Sequence, residues 1–392
     1  MGNVKTLSVI LVCGVSALVP KTAAALSCKD KPNRYSNVNI FSSVKQTSNL
    51  QFGSATNPLH NNAVENLFTD VFQPNGDTCT KRPMVIMLWG GGFQGGKRQD
   101  ENGDCQNFAK RGFVCATSDY RKGNAGAVNV QNFCGPLFMS TQDTRAAIRY
   151  YKKNAALYGI DTSLIFVGGC SSGAYAALQT GYLDKASEIA SYFSPTVTGG
   201  GIEGNSGNPG YSSRPAGVLS LSGGVLDSNW VIPGDIPAAM VGCTADAIEA
   251  KDSLHSGNWD GPGFVSNYDM TRLTPRLTHL GVPHRILAIP GNCHCPHNTD
   301  AAGVDQSIDF LAKSAYAFMT TAPTPIRARP ADRYAVAFSP RDLHAFSPQG
   351  TFYDLKGKRL EPGRNGSGEI PAPDFRPGLY FKGSHPPDSA GD

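Results

Sequence analysis

"FVGGCSSGAYAAL", residues 166–178, runs from an apolar stretch through two glycines and a cysteine into a helical pattern. A strand that turns sharply into a helix forces unusual backbone angles on the turn residue. The positions two residues away on either side must then be small. Gly169 and Gly173 hold those positions around Ser171. Such a turn lifts the Ser171 hydroxyl above the sheet and sets the N–H groups of a helix N-terminus beside it. In a chain with 44 glycines the same five-residue pattern also arises by chance, so a turn without chemistry stays open on the motif alone.

Working outward, short apolar runs recur on both sides. Residues 84–88 (MVIML), 113–117 (FVCAT), 164–167 (LIFV), 217–221 (GVLSL), 238–241 (AAMV) and 285–288 (RILA) read as buried strands. Between them lie helical patterns, notably 143–158, where Ala147, Ile148, Tyr151 and Ala155 share one face. Strand–helix alternation predicts an α/β fold with a mostly parallel central sheet flanked by helices. Residues 194–216 are rich in Gly, Ser, Pro and Asn and read as a long surface loop.

The ends of the chain are separate in character. Lys5 precedes an apolar stretch of signal-peptide length, and Ala23–Ala25 supplies the small residues of a cleavage site. Pro20 and Lys21 interrupt the stretch before it reaches the ~20 residues of a membrane span. Residues 1–25 therefore read as a signal peptide, with a lipoprotein reading at Cys28 as the alternative. A catalytic domain is expected over 26–321, a Pro-rich linker over 322–335, and a small β-rich C-terminal domain over 336–392. The net charge of +4 without a basic cluster argues against a nucleic-acid partner.

Ten cysteines in an exported chain suggest disulfides. Cys13 leaves with the leader, so nine remain and one is left over. Cys115, in an apolar run, is the expected spare.

A second glycine motif follows the strand MVIML: Trp89-Gly90-Gly91-Gly92-Phe93. Peptide N–H groups of Gly91 and Gly92, joined by that of Ser172, are placed to hold a developing oxyanion. Neither GxxxxGK[ST] nor GxGxxG is present here, which removes the phosphate-binding reading. The order of PMVIMLWGGGFQGG, GFVCATSDYRKG and DTRAAIRYYKKNAALYGIDTSLIFVGGCSSGAYAAL resembles secreted carboxylesterases of the α/β-hydrolase fold, over roughly residues 60–320. Trp89 stands where that family usually has a histidine bracing the glycine loop.

A serine hydroxyl needs an imidazole base, itself oriented by a carboxylate. The resemblance implies the chain order Ser, acid, His. Asp246, in the turn after AAMV, is the candidate acid, with Asp227 and Asp252 as alternatives. His294 and His297 follow the last strand, where the base belongs; His60, His255, His279, His284, His344 and His385 lie elsewhere.

Cys170 beside Ser171, and Cys295 beside His294, are similar to the arrangement in tannases and fungal-type feruloyl esterases. That likeness implies a Cys170–Cys295 disulfide and favours His294 over His297. Cys243 could then pair with Cys293. Cys28–Cys79 and Cys105–Cys134 are assigned from order alone. The rival reading of Cys293-His294-Cys295-Pro296-His297 is a metal site, but four ligands within five residues do not readily close on one tetrahedral ion.

The stretch YDLKGKRLEPGRNGSGEIPAPDFRPGLYFKG, residues 353–383, resembles the sorting domains of type IX secretion, implying secretion machinery as a partner, a Gram-negative bacterium and a secreted or cell-surface protein; a small carbohydrate-binding module is the alternative. The expected activity is ester hydrolysis through an acyl-enzyme with no cofactor and no metal, on acetyl or feruloyl esters of plant polysaccharide. A polyester hydrolase, an exopeptidase and a non-catalytic binding protein of the same fold are the alternatives.

Overall fold

The computed structural model describes residues 28–31, 33–125, 130–189, 193–246, 268–297, 300 and 303–320, and short strands at 351–354, 359–360 and 379–382. The expected leader at 1–25, the expected linker at 322–335, Asp252 and His255 lie outside the described residues.

Eight strands form one sheet: β1 (Val44–Asn57), β2 (Ala63–Pro74), β3 (Arg82–Leu88), β4 (Val114–Ser118), β5 (Ile160–Cys170), β6 (Gly217–Leu221), β7 (Ala238–Cys243) and β8 (His284–Ile289). Their order is β1-β2-β4-β3-β5-β6-β7-β8. From β4 to β8 all neighbours are parallel, while β1–β2 and β2–β4 are antiparallel. All seven residues of β3 are buried, as are all five of β4 and of β6. A strand covered on both faces reads as a continuous apolar run, which is why these segments show in the sequence without alternation.

Helices cover both faces. One face packs against α1 (Asn102–Lys110) and α6 (Gln306–Thr320) through Phe108, Ala109, Ile308 and Leu311. The other packs against α2 (Val130–Lys153), α4 (Ser172–Tyr182) and α5 (Met270–Leu280) through Ala147, Ile148, Tyr151, Ala176, Ala177 and Leu273. A single turn, α3 (Ala155–Tyr158), precedes β5 and ends on Gly159 in the left-handed conformation. The pattern at 143–158 is thus the end of a longer helix that breaks at Asn154, the cap of α3.

The two faces correct the cysteine assignment. Cys105 on α1 is joined to Cys115 on β4, 5.0 Å apart at Cα, and Cys134 on α2 is the free, buried thiol. Cys105 and Cys115 belong to one face of the sheet and Cys134 to the other, so the sheet itself separates the expected Cys105–Cys134 pair. Burial pushes the Cys134 thiol up to about 12. Cys28 is joined to Cys79, which takes the thiol that lipidation would need.

Residues 323–392 form a second compact unit. Its described part is a three-stranded antiparallel sheet, β9 (Thr351–Asp354), β10 (Arg359–Leu360) and β11 (Leu379–Lys382), in the order β10-β9-β11. Among the described residues no helix is long and apolar enough to cross a membrane.

Candidate active site

The chain leaves β3 for β4 on one side and returns to β5 on the other, so strand order reverses at β3. In open α/β sheets ligands bind in the crevice at the carboxyl ends of the strands flanking such a switch. The glycine loop grows from the end of β3 and Ser171 from the end of β5.

Ser171 has φ 51° and ψ −122°, a strained conformation for a residue with a side chain, costing on the order of 1–3 kcal/mol. Local bonds hold it there: its N–H donates to the Leu221 carbonyl at 2.9 Å, and its own carbonyl accepts from Tyr175 N–H at 2.9 Å. A Cβ on Gly173 would lie 2.7 Å from the Trp89 carbonyl oxygen, and closer still to that of Leu88. The two glycines around Ser171 are therefore set by the approach of β3.

His294 reaches the turn from the loop after β8. Its Nε2 lies 2.7 Å from Ser171 Oγ and its Nδ1 lies 2.8 Å from Asp246 Oδ2. A carboxylate only accepts, so Nδ1 carries the proton and Nε2 accepts from the serine hydroxyl. Asp246 is 3% exposed and follows β7. The loops bearing acid and imidazole are joined by Thr244 N–H to Ile289 O at 2.9 Å, Ala245 N–H to Gly291 O at 3.0 Å, and the Cys243–Cys293 disulfide. Cys170 is joined to Cys295, 5.7 Å apart at Cα, which fastens the imidazole loop to the serine turn. His297 lies apart, with Nδ1 2.7 Å from Asp305 Oδ2. Asp227 caps the short turn at 228–230 by accepting from Asn229 N–H.

Gly91 and Gly92 both have positive φ, 126° and 62°. Ser172 opens α4, so its N–H has no acceptor within the helix. Trp89 is buried and stacks on Tyr120 with ring centroids 3.8 Å apart, and the Tyr120 hydroxyl donates to the Trp89 carbonyl at 2.7 Å. Burial holds the Tyr120 phenol well above its ordinary range. The indole–phenol stack therefore braces the glycine loop.

Some residues that position the site were not visible in the sequence. Ser222, with φ 52°, accepts the Cys295 N–H at 2.9 Å. Arg121 and Asp143 form a buried pair at 2.9 Å beneath the segment that follows Tyr120. Their partners are 73 and 22 positions away, beyond any local pattern.

A cavity of about 770 Å³ lies beside Arg145, Arg149 and Glu203, and no member of the Ser171–His294–Asp246 set lines it. A second, about 440 Å³, is lined by Trp89, Tyr120 and charged residues including Arg98 and Lys122, and adjoins the glycine loop.

The BD-FAE family model matches residues 69–205, a span holding the glycine loop, β5 and the Ser171 turn. That segment is esterase-like, and the mostly parallel sheet with its flanking helices has the α/β-hydrolase fold. No curated protein matches the chain. Among solved structures it is similar to a thermophilic esterase of the Planctomycetes species Thermogutta terrifontis with propionate bound, at 18% identity and TM-score 0.46, over 65% of this chain and 89% of that one. It is also similar to esterase 2 of Thermogutta terrifontis phosphorylated by paraoxon, at 18% identity and TM-score 0.46, over 70% and 91%.

Proposed function

We propose that the protein is a secreted serine carboxylic-ester hydrolase working through an acyl-enzyme. Ser171 Oγ attacks the ester carbonyl while His294 Nε2 takes its proton, and the imidazolium then protonates the leaving alcohol. Asp246 holds the ring and offsets its charge. The N–H groups of Gly91, Gly92 and Ser172 hold the oxyanion, and water, deprotonated by His294, frees the acid. The observation that carries this reading is the continuous Ser171–His294–Asp246 hydrogen-bond chain at a strained strand-to-helix turn.

For substrate we propose acetyl or feruloyl esters on plant polysaccharide. The support is in the sequence: an export leader and a surface-directing tail suit a polymer too large to import. The test is fluorophosphonate labelling of the full chain with peptide mapping, alongside Ser171→Ala and His294→Ala. One adduct on Ser171, lost in both variants, is the expected result. Labelling that survives in His294→Ala moves the base elsewhere, and no adduct on folded protein sinks the hydrolytic reading.

A further inference from the structure

Away from Ser171, α1, the loop after His294 and the start of α6 bring together ionisable groups that ester hydrolysis does not use. His297 Nδ1 lies 2.7 Å from Asp305 Oδ2 and 3.8 Å from Asp104 Oδ1, and donor atoms of all three residues lie within 4.8 Å of one another. Asp305 spends its other oxygen capping α6, accepting from Ser307 N–H at 2.9 Å and Ile308 N–H at 3.1 Å. Oδ2 of Asp104 is buried and accepts no hydrogen bond. Glu101, 6% exposed, is the N-cap of α1, so a second acid stands in the same helix turn as Asp104. The guanidinium of Arg111, at the end of α1, is engaged by Asp309 at 2.9 Å.

Three carboxyls against one imidazole leave excess negative charge, part of it buried at Glu101 and at Asp104 Oδ2, which is costly unless a proton or a cation enters. We propose that Asp104, His297 and Asp305 bind one divalent transition-metal cation of the Zn²⁺ or Mn²⁺ class, with Glu101 supporting Asp104 from the interior. The donor set decides the class. Ca²⁺ takes six to eight oxygens, whereas mixed imidazole and carboxylate donors suit Zn²⁺ and Mn²⁺. The observed separations of 2.7 and 3.8 Å bracket the edge of about 3.3 Å in a tetrahedron with ~2.0–2.1 Å bonds. The cation replaces the proton between His297 and Asp305. The His297 side chain is 42% exposed, which gives an ion a way in and leaves room for water as a further ligand. Bound there, the ion ties position 297, three residues beyond His294, to α1 and α6.

The experiment strips the purified full chain with EDTA, removes the chelator, then follows metal content and thermal unfolding as Zn²⁺ or Mn²⁺ is added. Wild type, Asp104→Asn and His297→Gln are compared. Wild type is expected to take up one equivalent and to gain about 5 °C in Tm at saturating metal; both variants lose the uptake and the gain. The rival is a proton shared between Glu101 and Asp104. Asparagine at 104 can donate to Glu101, so under that rival Asp104→Asn keeps full stability and wild type ignores the metal. That outcome overturns the proposal. An equal shift in all three proteins, or a response to Ca²⁺ alone, overturns it as well. Neither readout depends on ester hydrolysis.

Discussion

Gly173 shows how little freedom the serine turn has. A methyl group there must displace the Leu88 or Trp89 carbonyl, both backbone atoms at the root of the glycine loop. Overpacking of this kind costs about 1–3 kcal/mol, and the strain falls on the loop proposed to hold the oxyanion. Gly173→Ala is therefore expected to lower kcat/KM for a simple ester at least about tenfold, a loss of 1.4 kcal/mol or more in transition-state stabilisation. Gly281→Ala is the control. Gly281 has φ 67° and open space around it, so alanine there adds about 1 kcal/mol of backbone strain and leaves kcat/KM unchanged. Parallel steady-state kinetics and melts of the two variants check this, and equal kinetic effects would refute it. The spacing of Gly169, Ser171 and Gly173 was legible because steric crowding at a tight turn is local. Ser222 and Asp104 were not, since each acquires meaning only from a partner that folding brings near, Cys295 and His297.

At the scale of elements, buried strands were the legible part and polar edges the missing one. β1 reads VKQTSNLQFGSATN and its first eight residues are exposed or half-buried, so neither alternation nor an apolar run marks it. It holds its place by pairing with β2 along its length. The loop over 194–216 was legible as a loop, yet composition hid what anchors it. Arg145 and Arg149 of α2 reach Glu203 at 2.8 and 2.6 Å, and Ser213 donates to the same carboxylate at 2.7 Å. Burial alone would raise the Glu203 carboxyl; the Ser213 hydrogen bond and the two guanidiniums outweigh it and hold the group below its ordinary range. A carboxylate so depressed contributes its anchoring fully above the ordinary glutamate value of about 4.3, and that contribution fades as pH falls through the lower folded value. Amide exchange over 203–213 is thus expected to stay slow at neutral pH and to quicken, relative to the core, only below that ordinary value. In Glu203→Gln the loop exchanges faster at neutral pH and the acid step disappears. An unchanged pH profile in that variant would remove Glu203 from the role.

Across the whole molecule, the sheet decides both where the site forms and which cysteines can meet. The crevice between the ends of β3 and β5 follows from strand order, which alternation in the sequence predicted only as "mostly parallel". The failed Cys105–Cys134 assignment has the same origin. Pairing by order ignores that a sheet divides the core in two, and only the folded topology puts Cys134 behind it. Cys170–Cys295 differs from the other bridges because it spans 125 positions and joins the proposed nucleophile turn to the loop carrying the proposed base. Closing a loop of that length removes much freedom from the unfolded chain, and losing such a bridge costs about 2–5 kcal/mol. Position matters more than size here. His294 must keep Nε2 within hydrogen-bond reach of Ser171, and near-attack geometry is lost with a displacement of about 1 Å. The double variant Cys170→Ser, Cys295→Ser is expected to melt lower by several degrees and to lose kcat beyond what unfolding explains at a temperature where it remains folded. The comparison is Cys28→Ser, Cys79→Ser, which removes a bridge of 51 positions and touches no member of the triad. Its melting temperature falls while kcat of the folded fraction holds. If both double variants lose stability and neither loses kcat, the Cys170–Cys295 bridge is a fold constraint with no part in holding the imidazole, and the Ser222 hydrogen bond to Cys295 N–H becomes the contact that sets the loop.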